Sequence, residues 1–406
     1  MNKRPITKNE ICNILKKLKR FNLGAEVISL SNSENRILAD SVLSKINHPP
    51  FKNSAVDGYA LNDKDINKNG NKKISYRIAA GDSHRVKLKT GEVARIFTGG
   101  KMPLNSSTVV MQENVQKINS SIKIIKNPKI GENCRLEGED IRKKKIVFNS
   151  GQKITSKNIS IFAAIGKKTI KVKNKLQVGY FTSGNELFDP TENLNDSMIN
   201  NSNQYTLQTL LNKEFLKPKY LGVLKDSKSK ILKIFKKNLD KYSVIITTGG
   251  ASVGEEDHLI DVIKENGEIF FWQTAIKPGR PLAVGKIKKT YFICLPGNPV
   301  SVYLLYGMIV KPFLQYLCGS NFEIPRFFYA TTNFTMKKKT QRLEWLRVYL
   351  NNNYKNNMLV EKYKKQGSGM LSSIAYSDGI LEIPENTSLI QKGEKFKFFL
   401  FSDLFA

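Results

Sequence analysis

The stretch Thr247-Thr248-Gly249-Gly250-Ala251-Ser252-Val253-Gly254-Glu255-Glu256-Asp257-His258 decides how this chain is read. The apolar run YSVIITT (242–248) leads into it as a strand, and DHLIDVIKENG (257–267) leads out with helical apolar spacing. A glycine pair, a third glycine and three acids therefore stand at the mouth of a strand-to-helix turn. The same alternation continues on both sides. LQVGYFT (176–182), KYLGVLKD (219–226), IFFWQTAIK (269–277), PLAVG (281–285) and YFICLPG (291–297) read as strands. NSNQYTLQTLLNK (201–213), SKSKILKIFKKNL (227–239) and PVSVYLLYGMIVKPFLQYL (299–317) read as helices. Strand–helix alternation predicts a mostly parallel α/β domain over 176–320. Ligands of such sheets sit beyond the carboxyl ends of the strands, where this loop lies.

The flanking regions carry different patterns. Thr7 and Glu10 form a T-x-x-E capping box ahead of Ile11, Ile14, Leu15 and Leu18, which predicts a first helix. VISL (27–30), KISYRIAAG (73–81), EVARIFTGG (92–100), STVVMQEN (107–114) and SIKIIKN (121–127) then read as short strands, so 1–175 is expected to be β-rich with two lobes. RVYLNNN (347–353), NNMLVEKY (356–363), GILEIPE (379–385) and FKFFLF (396–401) predict a small β-barrel or sandwich over 325–406. The fold class expected is α/β plus β, in several subdomains.

Composition narrows the function classes. The chain has 406 residues and a hydrophobic fraction of 40%, ordinary for a globular protein of two to four domains. No stretch is read as approaching an 18-residue apolar span, and MNKRPITKNEICNIL lacks the apolar core of a secretion signal, so a cytoplasmic protein without a membrane partner is expected. The four cysteines and three histidines are scattered, without the spacing of a disulfide framework or a zinc site. The formal charge of +31 suits nucleic acid or anionic substrates. Lysine is spread from end to end rather than gathered beside aromatics, which favours compositional drift over nucleic-acid recognition.

Three strand ends converge on one sheet edge in this reading. They bring Glu186, Asp226 and the acids ending in Asp257. Carboxylates facing an anion require a cation between them, and Mg²⁺, with oxygen ligands shared between carboxylates and phosphates, is the natural one. Gly249, Gly250 and Gly254 let backbone N–H groups approach a phosphate. Taken singly, Asp226 and Asp257 also suit helix N-caps. Lys277-Pro278-Gly279-Arg280-Pro281 places two cations on a stiff turn, a clamp for an oxyanion. In Leu295-Pro296-Gly297-Asn298-Pro299, Asn298 suits an N-cap and Pro299 the first position of the last helix.

With these residues in view, the chain resembles the molybdopterin molybdenumtransferase family, the MoeA and gephyrin E-domain proteins. The resemblance covers nearly the whole chain. It rests on Ser54-Ala55-Val56-Asp57-Gly58-Tyr59-Ala60, Arg95-Ile96-Phe97-Thr98-Gly99-Gly100, Gly138-Glu139-Asp140, Gly184-Asn185-Glu186-Leu187, the 247–257 loop, K-P-G-R-P, L-P-G-N-P-V-S, Arg347 and Lys365-Gln366-Gly367-Ser368. It implies a β-rich N-terminal region, a central α/β domain, a C-terminal β-barrel and a homodimer with its site between subunits. The implied reaction inserts molybdate into adenylylated molybdopterin with Mg²⁺-dependent release of AMP. Glu186, Asp226 and Asp257 would hold Mg²⁺, phosphates and water, and Asp57, Thr98 and Asp140 would complete the site from the partner subunit. Lys277, Arg280, Arg347 and Ser368 would hold molybdate, and Ser252, Pro296 and Pro299 join Gly249, Gly250 and Gly254 in the substrate-binding set. Molybdopterin adenylyltransferase and molybdoenzyme chaperones are the implied protein partners.

The chain departs from the family pattern at Asn185, Ser227, Asn201, Arg280 and Lys365. Most of the replacements remove acids, so metal affinity is the property they touch. Three alternatives stand beside this reading. One is a molybdopterin adenylyltransferase, which would not need the long flanking regions. The others, from different classes, are a basic nucleic-acid-binding protein and a scaffold.

Overall fold

The computed structural model describes residues 4–189, 198–225, 227–251, 258–351 and 358–405. Its centre is a six-stranded sheet. The strands run in the order Leu216–Leu224, Leu176–Ser183, Val244–Thr248, Thr290–Leu295, Ala283–Ile287 and Glu268–Trp272. The first four are mutually parallel and the last two antiparallel. The mostly parallel sheet expected from the alternation is present. Leu176–Ser183 comes first in the chain yet lies between the next two strands, so the connection that follows it runs to one side of the sheet and the one that follows Val244–Thr248 runs to the other. Its carboxyl end is the switch point where ligands of such sheets bind.

Helices Ser202–Leu211, Lys228–Asn238 and Leu259–Asn266 follow three of these strands. The last helix of this region runs from Pro299 to Leu317, with a wider turn at Tyr306–Val310. Here the sequence reading needs correcting. This helix is 19 residues long and apolar enough to cross a membrane, but 83% of its most apolar 18-residue stretch is buried inside the fold. It is a core helix. Val300, Leu304, Phe313 and Leu317 sit in the main apolar cluster together with Trp345, Ile380 and Phe399 from the C-terminal region. Burial of such side chains contributes about 1.5–3 kcal/mol each, so the two regions share one core.

The C-terminal strands Leu343–Leu350, Leu359–Lys362, Phe328–Thr332, Lys395–Leu400 and Gly379–Ile383 pair in a ring, because the last also pairs with the first. This closed barrel encloses Leu346, Val348, Leu381 and Phe398. Ile276–Lys277, read from sequence as the end of an α/β strand, instead adds to the barrel, in parallel register with Leu343 and Glu344. The segment carrying the basic turn is thereby stitched to the barrel wall.

The first helix, Lys8–Leu15, has the predicted capping box, with the Thr7 N–H donating to Glu10 Oε2 at 2.8 Å. Beyond it the N-terminal region divides into two packed units. One contains Ala25–Ser29 paired with Thr169–Lys173 and an additional helix, Ser156–Ala164. The other is a six-stranded sheet in the order Thr108–Met111, Gly58–Leu61, Glu92–Ile96, Lys72–Ile78, Ser121–Ile124 and Val115–Ile118. All four cysteines are free.

Candidate functional site

The switch point is built by close backbone approach. Gly249 (φ +85°) follows strand Val244–Thr248, and a Cβ there would lie 2.4 Å from the Ser183 carbonyl oxygen. Its N–H donates to the Leu295 carbonyl at 3.0 Å. Gly250 (φ +67°) packs on Ser183 and Leu259 just as tightly. The ends of three parallel strands are thus gathered on two residues that only glycine suits. The Trp272 indole N–H secures the loop by donating to the Ala251 carbonyl at 2.9 Å.

Glu186 follows the strand Leu176–Ser183 at this edge. Its carboxylate is exposed, lies over Gly184, and has no hydrogen bond or ion pair among the described residues. The other expected metal carboxylates, Asp226 and Asp257, lie outside the described residues, as do Ser252 and Gly254. Among the described residues no group of three or more His, Cys, Asp or Glu side chains is gathered for a metal. The N-cap of helix Lys228–Asn238 is Ser227, and that of Leu259–Asn266 is His258, one residue beyond the acid in each case.

Asn201, one of the departures noted above, is 2% exposed and tied into the same edge. Its side-chain oxygen accepts from the Gln204 N–H, and its amide donates to Thr182 Oγ1 at 2.9 Å. It caps a helix and joins that helix to the strand end.

A cleft of about 490 Å³ opens between the α/β domain and the barrel. Lys277, Arg280, Pro296, Arg347 and Ser368, five residues singled out from sequence, line it together. The turn that carries the first two is pinned by Thr274. Its hydroxyl donates to the Gly279 carbonyl at 3.0 Å and its N–H to the Arg280 carbonyl at 2.8 Å. Gly279 has φ +134° and meets Leu305, so the turn is fixed against the core helix. Lys277 Nζ pairs with Glu344 Oε1 at 2.8 Å, and Glu344 is 7% exposed.

Arg347 is 1% exposed, and its guanidinium is largely engaged. It donates to Ser373 Oγ at 3.1 Å, the Trp345 carbonyl at 3.1 Å and the Gly367 carbonyl at 3.2 Å. Burial lowers its pKa to about 10. Three of its five donors are used, and one of them holds the Gly367 carbonyl next to Ser368, so Arg347 shapes the cleft as well as charging it. Pro299 stands at the first position of the core helix, and the Val300 N–H donates to the Ser368 carbonyl at 3.1 Å. Asn298 occupies the N-cap position without a side-chain capping bond and faces the cleft instead.

Gln366 and Arg342 were not selected from sequence. Gln366 accepts from the Arg347 N–H at 3.0 Å and donates to the Arg347 carbonyl at 2.8 Å, acting as a strand residue through its side chain. Its place within the quoted K-Q-G-S was the available signal. Arg342 lines the cleft five residues before Arg347, and nothing in its local sequence marks it.

Asp57 and Thr98 form a separate pair in the N-terminal sheet. Thr98 N–H and Oγ1 both donate to Asp57 Oδ1 at 2.8 Å. These bonds, the backbone one foremost, hold the Asp57 carboxyl below its ordinary pKa. Gly99 donates to Ser54 and Ser54 to Gly100, placing the two motifs back to back. Asp140 is exposed on a neighbouring loop whose backbone bonds His48, and its carboxylate has no partner among the described residues. None of these three lines the cleft of the same chain.

Comparison with known proteins agrees with this division of parts. Family models of the MoeA N-terminal region (domain I and II), a probable molybdopterin binding domain and the MoeA C-terminal region (domain IV) match residues 6–166, 179–316 and 329–401. The molybdopterin molybdenumtransferase of Haemophilus influenzae is 31% identical over 376 residues, 92% of this chain and 93% of the relative. That of Staphylococcus aureus is 30% identical over 313 residues, 76% of this chain and 75% of the relative. The crystal structure of a molybdopterin biosynthesis MoeA protein from Pyrococcus horikoshii superposes with a TM-score of 0.82 at 27% identity, covering 98% of this chain and 100% of that one. Matches on both sides of the α/β domain distinguish the chain from an isolated adenylyltransferase-like domain. Sequence and fold together therefore place the chain in the MoeA family of molybdopterin molybdenumtransferases, enzymes of molybdenum cofactor biosynthesis.

Proposed function

We propose that the chain inserts molybdate into adenylylated molybdopterin and releases AMP in a Mg²⁺-dependent step. One observation carries the reading: the cleft brings Lys277, Arg280, Arg342 and Arg347 together against a single carboxylate, Glu344. Such an excess of cations suits a tetrahedral dianion, and Ser368 adds a hydroxyl for orientation. Lys277 acts as a point charge held in place by Glu344. Arg280 offers a planar fork on the pinned turn. Pro278, Pro281 and Pro296 keep the wall stiff, so the cations need not reorganise when the anion arrives.

The adenylyl end of the substrate is assigned to the switch point. Gly249 and Gly250 let the backbone approach phosphates, with Ser252 and Gly254 extending the same loop. The exposed, unpartnered carboxylate of Glu186 fits a hard cation with oxygen ligands, and with Asp226 and Asp257 it would hold Mg²⁺. The ion, once bound, would supply charge neutralisation to the phosphoanhydride and a more acidic water. The protein contributes position and electrostatics, as is usual in phosphoryl chemistry.

Asp57, Thr98 and Asp140 are assigned to the site of a partner subunit in a homodimer. Molybdopterin adenylyltransferase would supply the substrate and molybdoenzyme chaperones receive the product, in the cytoplasm. The proposed division is 1–175, 176–320 and 325–406. The test is incubation with adenylylated molybdopterin, Mg²⁺ and molybdate while AMP is followed. AMP release that requires both ions supports the reading. Release indifferent to molybdate, or none from folded protein, removes it.

A further inference from the structure

Beyond the cleft lies a larger groove of about 1070 Å³, and Arg280 and Arg342 line both. The two arginines therefore stand where the cavities meet. Several neighbouring cations are already engaged, although Lys339, exposed on the same groove, has no side-chain partner among the described residues. Lys277 pairs with Glu344, and Arg4 with Glu10. Lys338 donates to the carbonyls of Pro384 and Thr387, and Arg347 donates to three neutral oxygens. Arg280 and Arg342, by contrast, have side chains with no hydrogen bond or ion pair among the described residues. Arg342 is also half-buried. A guanidinium drawn from solvent, close to other cations and without a counter-ion, carries an electrostatic cost that an anion would remove.

We propose that Arg342 is a direct oxyanion ligand that works with Arg280 as a two-guanidinium clip at the junction of cleft and groove. The ligand class is a tetrahedral dianion, and a planar fork on each side matches its oxygen edges. This rests on the reading of the cleft as the molybdate site and adds to it a residue that the sequence motifs did not supply. It also assigns the groove a role as the approach by which the anion reaches Lys277 and Ser368.

The experiment is equilibrium binding of sodium molybdate to the full chain, by calorimetry at fixed ionic strength. Arg342→Gln is compared with Arg280→Gln, Lys277→Gln and Lys117→Gln, the last removing an exposed charge from the N-terminal sheet. Arg342→Gln and Arg280→Gln are each expected to weaken binding at least tenfold, and Lys117→Gln less than twofold. Arg342→Lys keeps the charge and loses the fork, so it is expected to recover only part of the loss. Thermal melts coincident with the parent confirm that the variants are folded. Binding by Arg342→Gln within twofold of the parent, with Lys277→Gln weakened, overturns the clip and leaves the cleft reading standing. Unchanged binding in all three cleft variants overturns both.

Discussion

Gly249 shows how closely a single residue sets the site. At φ +85° a Cβ is disfavoured, and at 2.4 Å from the Ser183 carbonyl it would also collide with backbone. Gly249→Ala is expected to cost about 2 kcal/mol or more, from left-handed strain and the forced shift of the loop. Urea denaturation should show the loss, and AMP release should fall at least tenfold. Parental stability and activity would mean that the loop relaxes without moving the site. Asp57 offers a different test. Its folded pKa is depressed, so its contribution to stability is present above the ordinary carboxylate value near 3.9 and is lost as pH falls through the folded one. Thr98→Val removes the hydroxyl bond and leaves the N–H bond. The Asp57 pKa, followed by NMR titration, should rise part of the way to the ordinary value. No movement would show that the hydroxyl contributes nothing. Asp57 and Thr98 were both legible in the sequence as motif residues; that Thr98 donates to the Asp57 carboxylate was not, because the two are 41 residues apart.

At the level of elements, local signals served well where one stretch decides its own structure. The Thr7–Glu10 box and the apolar spacing behind it located the first helix. The helix Ser156–Ala164 escaped because Asn158, not Glu or Gln, bonds back to the Thr155 N–H at 2.8 Å. The two residues Ile276–Lys277 could not be assigned to the barrel from sequence, since their partner, Leu343–Glu344, is supplied by another region. The membrane criterion failed for a related reason. The helix Pro299–Leu317 is apolar around most of its circumference, Lys311 and Gln315 excepted, because the α/β sheet, the barrel and the last residues pack around it. Asn201 carries the prediction at this scale. Its side chain caps helix Ser202–Leu211 and reaches Thr182 Oγ1 and Tyr220 OH. Asn201→Ala is expected to lower stability by about 1–2 kcal/mol through loss of the cap and of buried bonds. A denaturation midpoint equal to the parent's would show that the helix is held by packing alone.

For the whole molecule, the charge of +31 is less informative than its local arrangement. The cleft concentrates cations on a pinned turn and a barrel strand, while Asp57, Thr98 and Asp140 stand on a separate lobe and do not line it. Motifs supplied the candidate residues; they could not report that one chain leaves them in two places. The proposed homodimer, in which each lobe would serve the partner's cleft, would resolve this, and it has a measurable consequence. Asp57→Asn and Glu186→Gln alter the two halves of the site, and each alone should abolish AMP release. In mixed and re-equilibrated samples, half of the dimers are hybrids, and each hybrid carries one site with both halves intact. Roughly a quarter of the parental activity should then return, as two-fold symmetry requires. If both halves of a site came from the same chain, every site in the hybrid would carry one lesion and mixing would restore nothing. Size-exclusion chromatography of each variant, run before mixing, establishes that the lost activity lies in the site and not in the assembly.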